Sequence, residues 1–479
     1  MNKIKTLAGE AALYGLGSII PRMLNFFLVV LHTRIFLPEA YGTYINLYAW
    51  VAILNVIYLF GMETAYFRFA TKAGADEQKV FRITQTFVLA ISLSISLLIF
   101  LFSIPLSNEL NVPGHADFIA WLSILMFVDA AVSIPFARLR LRKKAALFAS
   151  AKLINVAIQV GLNLYFLLVI YQPSIGIGYL LLANLIANLF YLFFFAKTLI
   201  TWRPAYDKEL FSSMFKYAYP IMLTGLAGMT NETFSRIMLV SWLPENFYPG
   251  KSADYALGIF GACYRFSVIM NLAVQAFRFA AEPFFFSNAS HKDSPWLFAK
   301  VNHYFTILCC FIVLSVVINL DILKYLLDEK YWEGLGIVPI LLTGVMFLGI
   351  YYNFSVWFKL TDRTHYGTLI TVGGVVLTVV LNYFLIPMFG YLGSSWATLT
   401  CYFAMAISCY VLGQKYYPIP YKLVDELGYL FFALILIQVS KLVSIENQLL
   451  SSGFHIIIMV FFLAITFWRE RNYWQSSVS

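Results

Sequence analysis

Three arginines interrupt long apolar stretches of the sequence, at Arg22, Arg236 and Arg265. A guanidinium group stays charged near neutral pH, and placing it at the centre of a bilayer costs from about 2.5 to more than about 10 kcal/mol. Such a side chain normally faces a water-filled cavity, an opposite charge or a bound anion. These three positions are therefore candidates for lining a cationic cavity.

Neighbouring residues decide whether these charges are already neutralised. Further polar residues share the Arg22 face of its helix: Ser18, Asn25 and His32. Glu232 lies one turn before Arg236 and could pair with it, whereas Arg22 and Arg265 have no acidic residue one turn away in their own helices. We therefore predict a cationic cavity whose binding residues are Arg22, Arg265, Arg236, Asn25 and Glu232.

Other polar side chains in the apolar stretches leave the composition of this cavity open. Asp129 and Glu63 could supply acidic partners for the arginines from neighbouring helices. Amides recur at intervals of four residues in two further helices: Asn155, Gln159 and Asn163, then Asn184 and Asn188. Such amides either bond across packed helices or line a polar pathway, and both interpretations remain open.

No residue pattern indicates a metal centre or a cofactor. The five cysteines fall within apolar stretches and lack paired spacing: Cys263, Cys309, Cys310, Cys401 and Cys409. The six histidines are scattered singly, so the ligand spacing of a zinc site does not occur. The sequence therefore predicts no metal, no cofactor and no catalytic residue, and the protein is not expected to be an enzyme.

The elements that must position these polar residues are membrane helices. Of the 479 residues, 61% are hydrophobic and only 12% are charged, whereas a soluble domain is about one quarter charged. A helix needs about 20 apolar residues to cross a bilayer, and we predict about fourteen such helices. They lie near 11–36, 42–66, 82–107, 116–138, 147–171, 175–197, 215–242, 255–282, 302–327, 335–358, 366–387, 391–413, 426–443 and 449–468. The predicted fold is all-α and polytopic.

Positive charge predicts how these helices cross the membrane. Lys and Arg are retained on the cytoplasmic side during insertion. With an inner N-terminus most of them fall in cytoplasmic segments, notably from Arg138 to Lys144, and few fall outside: Arg34, Lys251, Lys324, Lys330 and Lys441. Both termini are therefore predicted in the cytoplasm. Basic loops facing anionic lipid headgroups account for the net charge of +9 without nucleic acid.

A short repeat divides the predicted helices into two halves. The fifth helix contains Asn163-Leu-Tyr-Phe-Leu167 and the eleventh contains Asn382-Tyr-Phe-Leu385, each followed by a short turn. The next helix then opens with Gly176-Ile-Gly178-Tyr179 or Gly390-Tyr-Leu-Gly393-Ser394. Six helices per half place both starts in the cytoplasm, so the repeat axis runs along the membrane normal. Transporters built in this way bind their substrate between the halves.

The repeat predicts the domain organisation of the chain. Helices 1–6 form an N-terminal lobe over residues 1–200, and helices 7–12 form a C-terminal lobe over residues 201–413. Residues 414–479 form a final pair of helices and a tail. We expect the cationic cavity between the two lobes.

Segments in both halves resemble those of a known family of membrane transporters. Tyr14-Gly-Leu-Gly-Ser18-Ile-Ile-Pro21-Arg22 and Leu37-Pro-Glu-Ala-Tyr-Gly-Thr-Tyr44 resemble the opening of Wzx-type polysaccharide flippases, and Tyr391-Leu-Gly-Ser-Ser-Trp-Ala-Thr-Leu-Thr400 resembles a later segment of the same family. These flippases belong to the multidrug/oligosaccharidyl-lipid/polysaccharide exporter (MOP) superfamily. The resemblance extends over the whole chain in topology.

The resemblance implies translocation of an undecaprenyl-diphosphate-linked oligosaccharide across the bacterial cytoplasmic membrane, for O-antigen, capsule or exopolysaccharide synthesis. It implies contact with membrane lipids and association with a polysaccharide polymerase and glycosyltransferases. Arg22 and Arg265 lie at places resembling the cavity arginines of the related peptidoglycan-precursor flippase, and the likeness is weaker for Arg236 beside Glu232.

Two related transport functions remain as alternatives. The same cationic cavity could bind the peptidoglycan precursor lipid II, or the chain could be a sodium-coupled multidrug exporter in which Glu232 takes part. A proton-coupled exporter is disfavoured because Glu10, at the edge of the first helix, is its only acidic residue. A polymerase or ligase is disfavoured because the longest outer loop, Leu243 to Asp254, is too short for their chemistry. A structural scaffold gives no account of Arg22 and Arg265.

Overall fold

A computed structural model describes residues 2–288, 293–443, 445 and 447–475 of the chain. This part is helical and contains no strand. The side chains of Glu10 and Ser18, which the sequence analysis singled out, lie outside the described set, as do the last four residues of the predicted cytoplasmic tail. The predicted all-α fold is confirmed.

In the described part of the chain, ten helices lie wholly within the first compact unit, Met1–Gly261, and an eleventh crosses its boundary. They are α1 (Asn2–Ile35), α2 (Pro38–Leu59), α3 (Met62–Ala70), α4 (Glu77–Leu101), α5 (Ser103–Glu109), α6 (Ala116–Leu141), α7 (Ala145–Leu168), α8 (Gly178–Phe194), α9 (Ala196–Thr201), α10 (Lys208–Trp242) and α11 (Ala253–Tyr264).

The second compact unit, Ala262–Ser479, holds the remaining helices. They are α12 (Ser267–Asn288), α13 (Ser294–Ile318), α14 (Leu320–Leu323), α15 (Val338–Phe354), α16 (Val356–Leu360), α17 (His365–Phe389), α18 (Tyr391–Tyr416), α19 (Leu423–Leu442) and α20 (Gln448–Gln475). Two 3-10 segments, Lys324–Leu326 and Glu329–Ile337, precede α15. The lobe boundaries at 200 and 413 stay a prediction.

The helices have the lengths and composition of membrane spans. In the described part, ten segments are long and apolar enough to cross a bilayer, or eleven if the bent pair α11 and α12 forms one span. The other predicted spans coincide with α1, α8 and α10. α8 is shorter, with 17 residues, and α10 is more polar. About fourteen spans are consistent with this arrangement.

Several predicted spans are interrupted in the described part of the chain, among them the second and the eighth. The segment predicted over 42–66 breaks between α2 and α3, where Phe60 and Gly61 both have positive φ angles of 50° and 69°. A Cβ atom at Gly61 would lie 2.6 Å from the carbonyl oxygen of Ala218 on α10, so close packing and backbone conformation both require glycine here. The segment predicted over 255–282 is bent by 49° between α11 and α12.

Side-chain caps start two of the spans on one face of the first unit. The Asp76 carboxylate accepts hydrogen bonds from the backbone N–H groups of Gln78 and Lys79 and begins α4. Asp207 begins α10 in the same way by accepting from Leu210 at 3.0 Å. Lys79 Nζ lies 2.7 Å from Asp207 Oδ2. The Leu210 backbone N–H and the Lys79 ammonium hold the pKa of Asp207 below its ordinary value.

Helix packing follows the same order in the two units. In the first unit α8 contacts both α6 and α7, and α6 also contacts α4. In the second unit α18 contacts both α15 and α17, and α15 also contacts α13. In the predicted repeat, α4, α6, α7 and α8 are the third to sixth helices of the first half. Their counterparts in the second half are α13, α15, α17 and α18. The packing therefore supports the two-fold repeat that the Asn and Gly motifs predict.

Candidate functional site

The five predicted binding residues lie on three parts of the chain. Arg22 is exposed on α1, and Asn25 is half-buried one turn later. Glu232 is exposed on α10, and Arg236 is half-buried one turn after it. Arg265 is half-buried and follows the last residue of α11. That these side chains line one cavity remains a prediction.

Arg265 lies at an irregular point of the backbone. Its N–H donates to the carbonyl of Ala262 at 3.2 Å, and the N–H of Phe266 donates to that of Cys263 at 3.2 Å. These three-residue spacings replace the four-residue spacing of an α-helix at the bend between α11 and α12. Discontinuous helices are where transporters place their substrate and ion sites. The sequence motif did not indicate this break.

The carboxylates that were considered as partners for the arginines have other partners. Asp129 on α6 accepts a hydrogen bond of 2.8 Å from the Nδ2 atom of Asn188 on α8. Glu63 on α3 forms an ion pair with Arg140 at the end of α6. Both acidic groups are thus engaged within the first unit.

The amides of α7 and α8 bond across the packed helices. Asn155 Nδ2 donates to Asn188 Oδ1 at 2.9 Å, and Gln159 donates to Asn184. Asn184 Nδ2 donates in turn to the hydroxyl of Tyr48 on α2 at 2.6 Å. Together with the Asp129 bond, these contacts form a polar chain through α2, α6, α7 and α8. The interpretation as cross-helix hydrogen bonding is confirmed.

Asn163 extends this chain to α1. His32 Nε2 donates to Asn163 Oδ1 at 2.9 Å, and Asn163 Nδ2 donates to the carbonyl of Gln159 at 2.8 Å. His32 is buried with 6% of its surface exposed, whereas Arg22, which spacing placed on the same face, is exposed. The predicted polar face of α1 is therefore divided between a packed part and an open part.

Lys152 is a half-buried basic residue that the sequence analysis missed. Its Nζ atom lies 4.2 Å from the ring centroid of Phe136 and 4.8 Å from that of Tyr191, which is cation–π geometry. Asp129 also acts on it electrostatically. Its position three residues before Asn155, on the same stripe of α7, was a signal that could have identified it.

The basic segment from Arg138 to Lys144 is held by acidic side chains. Arg138 Nε lies 3.0 Å from Glu77 Oε1, and Arg142 Nη2 lies 2.7 Å from Glu77 Oε2. The hydroxyl of Tyr66 donates to Glu77 Oε1 at 2.6 Å. This network ties the end of α6 to α3 and α4, so several of the basic charges are already paired.

Comparison with known proteins identifies the family. A profile described as "Polysaccharide biosynthesis protein" matches residues 31–318, more than half of the chain. The chain belongs to this family. No curated protein matches it. Family and fold together confirm the resemblance to polysaccharide flippases of the MOP superfamily that the helix motifs indicated.

Solved structures of similar fold are transporters. The lipid II flippase MurJ in an inward closed conformation has a TM-score of 0.75 and 14% identity, covering 95% of this chain and 99% of MurJ. An inward-facing MATE multidrug resistance transporter of the MOP superfamily has a TM-score of 0.65 and 13% identity, covering 85% and 97%. A variant of the Vibrio cholerae MATE transporter VcmN has a TM-score of 0.57 and 15% identity, covering 86% and 96%. This chain is therefore a polytopic membrane protein with the MOP transporter fold.

Proposed function

We propose that this polysaccharide biosynthesis protein is a flippase that carries an undecaprenyl-diphosphate-linked oligosaccharide from the inner to the outer leaflet of the bacterial cytoplasmic membrane. The observation that carries the proposal is Arg265 at the break between α11 and α12, in a chain of this family. Beside an irregular backbone segment, a guanidinium group offers a diphosphate hydrogen-bond donors that lipid cannot supply.

The charge of the cargo gives the transport a direction. A lipid diphosphate carries about two negative charges at neutral pH, and an inside-negative potential is worth about 2.3 kcal/mol per charge per 100 mV. Moving the anion outward therefore gains about 4 to 5 kcal/mol per 100 mV. Arg22 and Arg265 offset the charge while the headgroup is inside the membrane. Asn25, Glu232 and Arg236 would contact the sugar or tune the charge around it.

The proposal includes the location and partners of the protein. It would lie in the inner membrane with both termini in the cytoplasm, because the basic segments are then cytoplasmic. A polysaccharide polymerase and glycosyltransferases would make and use its cargo. A lipid II flippase is the second candidate, favoured by the fold of MurJ, and a sodium-coupled multidrug exporter is the third, favoured by the MATE fold and exposed Glu232.

The test is complementation of a strain that lacks its polysaccharide flippase. Arg22→Ala and Arg265→Ala should each reduce surface glycan about tenfold or more, because a hydrogen bond to a charged group contributes about 1.5 to 3 kcal/mol. Arg471→Ala removes the same charge from an exposed position on α20 and should restore glycan fully. Membrane levels and thermal unfolding in detergent should match those of the wild type.

Three outcomes decide against the proposal. Full glycan restoration by the combined Arg22→Ala and Arg265→Ala variant would exclude diphosphate binding by these arginines. Rescue of a strain depleted of its lipid II flippase, without rescue of surface glycan, would assign lipid II as the cargo. Drug efflux that needs sodium and Glu232, with neither rescue, would assign the exporter function.

A further inference from the structure

The segment that connects α8 to α10 exposes apolar and basic side chains in alternation. Three apolar residues expose 81%, 74% and 71% of their surface: Phe193, Ile200 and Tyr206. Three exposed basic residues follow them in turn: Lys197, Arg203 and Lys208. Together these six side chains form the linker surface. They belong neither to the predicted cationic cavity nor to the polar chain through α2, α6, α7 and α8.

The linker surface is docked onto the first unit by hydrogen bonds and packing. The Ala205 backbone N–H donates to the hydroxyl of Thr86 on α4 at 3.1 Å. Trp202 packs against a hydrophobic cluster that α3, α4 and α6 share. The Arg203 guanidinium donates to the carbonyls of Ile200 and Trp202, both at 3.2 Å, at the end of α9. The exposed side chains are therefore carried by an ordered segment.

Helical spacing aligns the first three members of the linker surface. Lys197 follows Phe193 by four residues, and Ile200 follows Lys197 by three, which are the spacings of side chains on one face of a helix. The Leu199 N–H donates to the carbonyl of Phe195 at 2.9 Å, so helical spacing persists from α8 into α9. Lys197 is also the last residue of the sixth predicted span. The face thus passes from the acyl chains to the level of the headgroups.

Acidic side chains of the protein do not neutralise the linker surface. In the part of the chain that the structure describes, Lys197, Arg203 and Lys208 form no ion pair. Asp207 lies beside Lys208, but its Oδ2 atom is 2.7 Å from Lys79 Nζ and its carboxylate caps α10. The three basic side chains therefore remain available to an anion from outside the chain.

The basic segment from Arg138 to Lys144 is less suited to the same role. Its three arginines form ion pairs with Glu63 and Glu77. Next to the linker surface, Glu209 lies in the first turn of α10, where the helix dipole stabilises a negative charge. Positive charge interleaved with exposed apolar side chains matches the anionic headgroups and acyl chains of phospholipids.

We propose that the linker surface binds anionic phospholipids, with its basic side chains against the phosphate groups and its apolar side chains among the adjoining acyl chains. A membrane lipid fits better than a soluble anion, because half of the surface is apolar and Phe193 belongs to a predicted span. Bound lipid would hold the connection between the two predicted halves at the membrane surface. The proposal is the same for each candidate cargo.

The test measures phospholipid binding to the purified full-length protein by native mass spectrometry. Wild-type protein should bind dioleoyl phosphatidylglycerol more tightly than dioleoyl phosphatidylcholine, and salt should reduce the preference. Lys197→Gln and Lys208→Gln should each lower the preference about fivefold, the contribution of one cation at an anionic lipid surface. Lys441→Gln is the matched control. It removes a lone exposed cation beside the exposed Leu442 at the end of α19 and should leave the preference unchanged.

Removal of all three charges gives the decisive comparison. The variant Lys197→Gln, Arg203→Gln, Lys208→Gln should bind the two lipids about equally, while its thermal unfolding in phosphatidylcholine nanodiscs matches that of the wild type. If it does not fold, the double variant Lys197→Gln with Lys208→Gln keeps the Arg203 contacts at the end of α9 and serves instead. A folded variant with the full wild-type preference would overturn the proposal.

A nitroxide attached at Ile200→Cys provides a second measurement, since the five native cysteines are buried. In phosphatidylglycerol nanodiscs it should collide more often with oxygen than with a water-soluble nickel chelate, because Ile200 lies among acyl chains in the proposal. The opposite order would overturn the proposal. Inorganic phosphate should displace no more lipid than chloride at the same ionic strength. Greater displacement would assign the linker surface to a soluble anion and would also overturn it.

Discussion

Asn163 on α7 and Asn382 on α17 are held in the same way by their own helices. Each Nδ2 atom donates to the carbonyl four residues earlier, to Gln159 or Thr378, at 2.8 Å. Each Oδ1 atom then accepts a hydrogen bond from another helix, and for Asn382 the donor is Ser394 at 2.7 Å. A buried amide that forms hydrogen bonds both with the backbone of its own helix and with a neighbouring helix fixes how the two helices pack.

The contact between His32 and Asn163 should therefore contribute measurably to stability. Asn163→Ala leaves the buried imidazole without its described acceptor and should destabilise the protein by about 1 to 3 kcal/mol. In a double-mutant cycle with His32→Ala, the coupling energy should be about 0.6 kcal/mol and at most about 1.7 kcal/mol. Unfolding in detergent micelles provides the measurement. Asn108→Ala, at an exposed position of α5, is the control and should be neutral. Strict additivity of the two substitutions would contradict the bond.

The residue types in a helix predict which side chains form polar contacts better than they predict which residues those side chains contact. The repeat motif identified Asn163 and Asn382, because the Asn-aromatic-Leu pattern is visible in the sequence. Their partners, His32 and Ser394, come from helices that are not equivalent in the repeat, so the pattern carries no information about them. For the same reason, Asp129 was considered for an arginine and bonds to an amide instead.

At the scale of elements, the crossing of α2 and α11 depends on glycine. A Cβ atom at Gly42 would lie 1.8 Å from the carbonyl oxygen of Asp254, and one at Gly258 would lie 1.9 Å from that of Pro38. The two backbones are thus in direct contact, a geometry that small residues permit between membrane helices. A methyl group added at either glycine would meet backbone atoms and not the end of a flexible side chain, so the backbone itself would have to move.

Gly42→Ala and Gly258→Ala should each destabilise the protein by about 1 to 3 kcal/mol, because overpacking displaces the helices. Thermal unfolding and membrane yield provide the measurements. Gly161→Ala on α7 is the matched control, since no atom lies within 4 Å of its Cβ position. That substitution should be neutral or stabilise by up to about 1 kcal/mol through helix propensity. Equal effects at Gly161 and Gly42 would show that the crossing is not tightly packed.

Hydropathy predicts spans and does not predict their breaks. All the predicted segments have corresponding helices, because apolar length is a property of the local sequence. The breaks at Phe60–Gly61 and at Arg265 were not predicted. The first depends on the close approach of α10 at Ala218, and such a contact between distant segments leaves no periodic signal. Breaks of this kind set the position of Arg265, so the site is less predictable than the fold.

At the scale of the whole molecule, one long helix that carries predicted binding residues is unusually polar. α10 has 35 residues and is long enough to cross a membrane, but it is not among the segments that are apolar enough to do so. It carries Asn231, Glu232, Ser235 and Arg236 within two turns. A polar helix in an otherwise apolar bundle is expected to face water or substrate along part of its length. This supports its assignment to a polar transport pathway.

Basic loops also predict the orientation of the whole chain, and accessible cysteines can test it. The five native cysteines are buried, so they should react little with an impermeant maleimide. Lys144→Cys, in the exposed basic segment, should be labelled only after the membrane is permeabilised, because Lys and Arg are retained in the cytoplasm. Glu245→Cys, in the exposed loop after α10, should be labelled in intact cells.

Permeabilised cells should show labelling at both positions, which establishes that each cysteine is reactive. If Lys144→Cys is labelled in intact cells and Glu245→Cys is protected, the topology is the reverse of the predicted one and the termini lie outside. The membrane potential acts on the anion itself, so it would still favour outward movement of the diphosphate, and the result would overturn the orientation of the chain without changing the direction of transport.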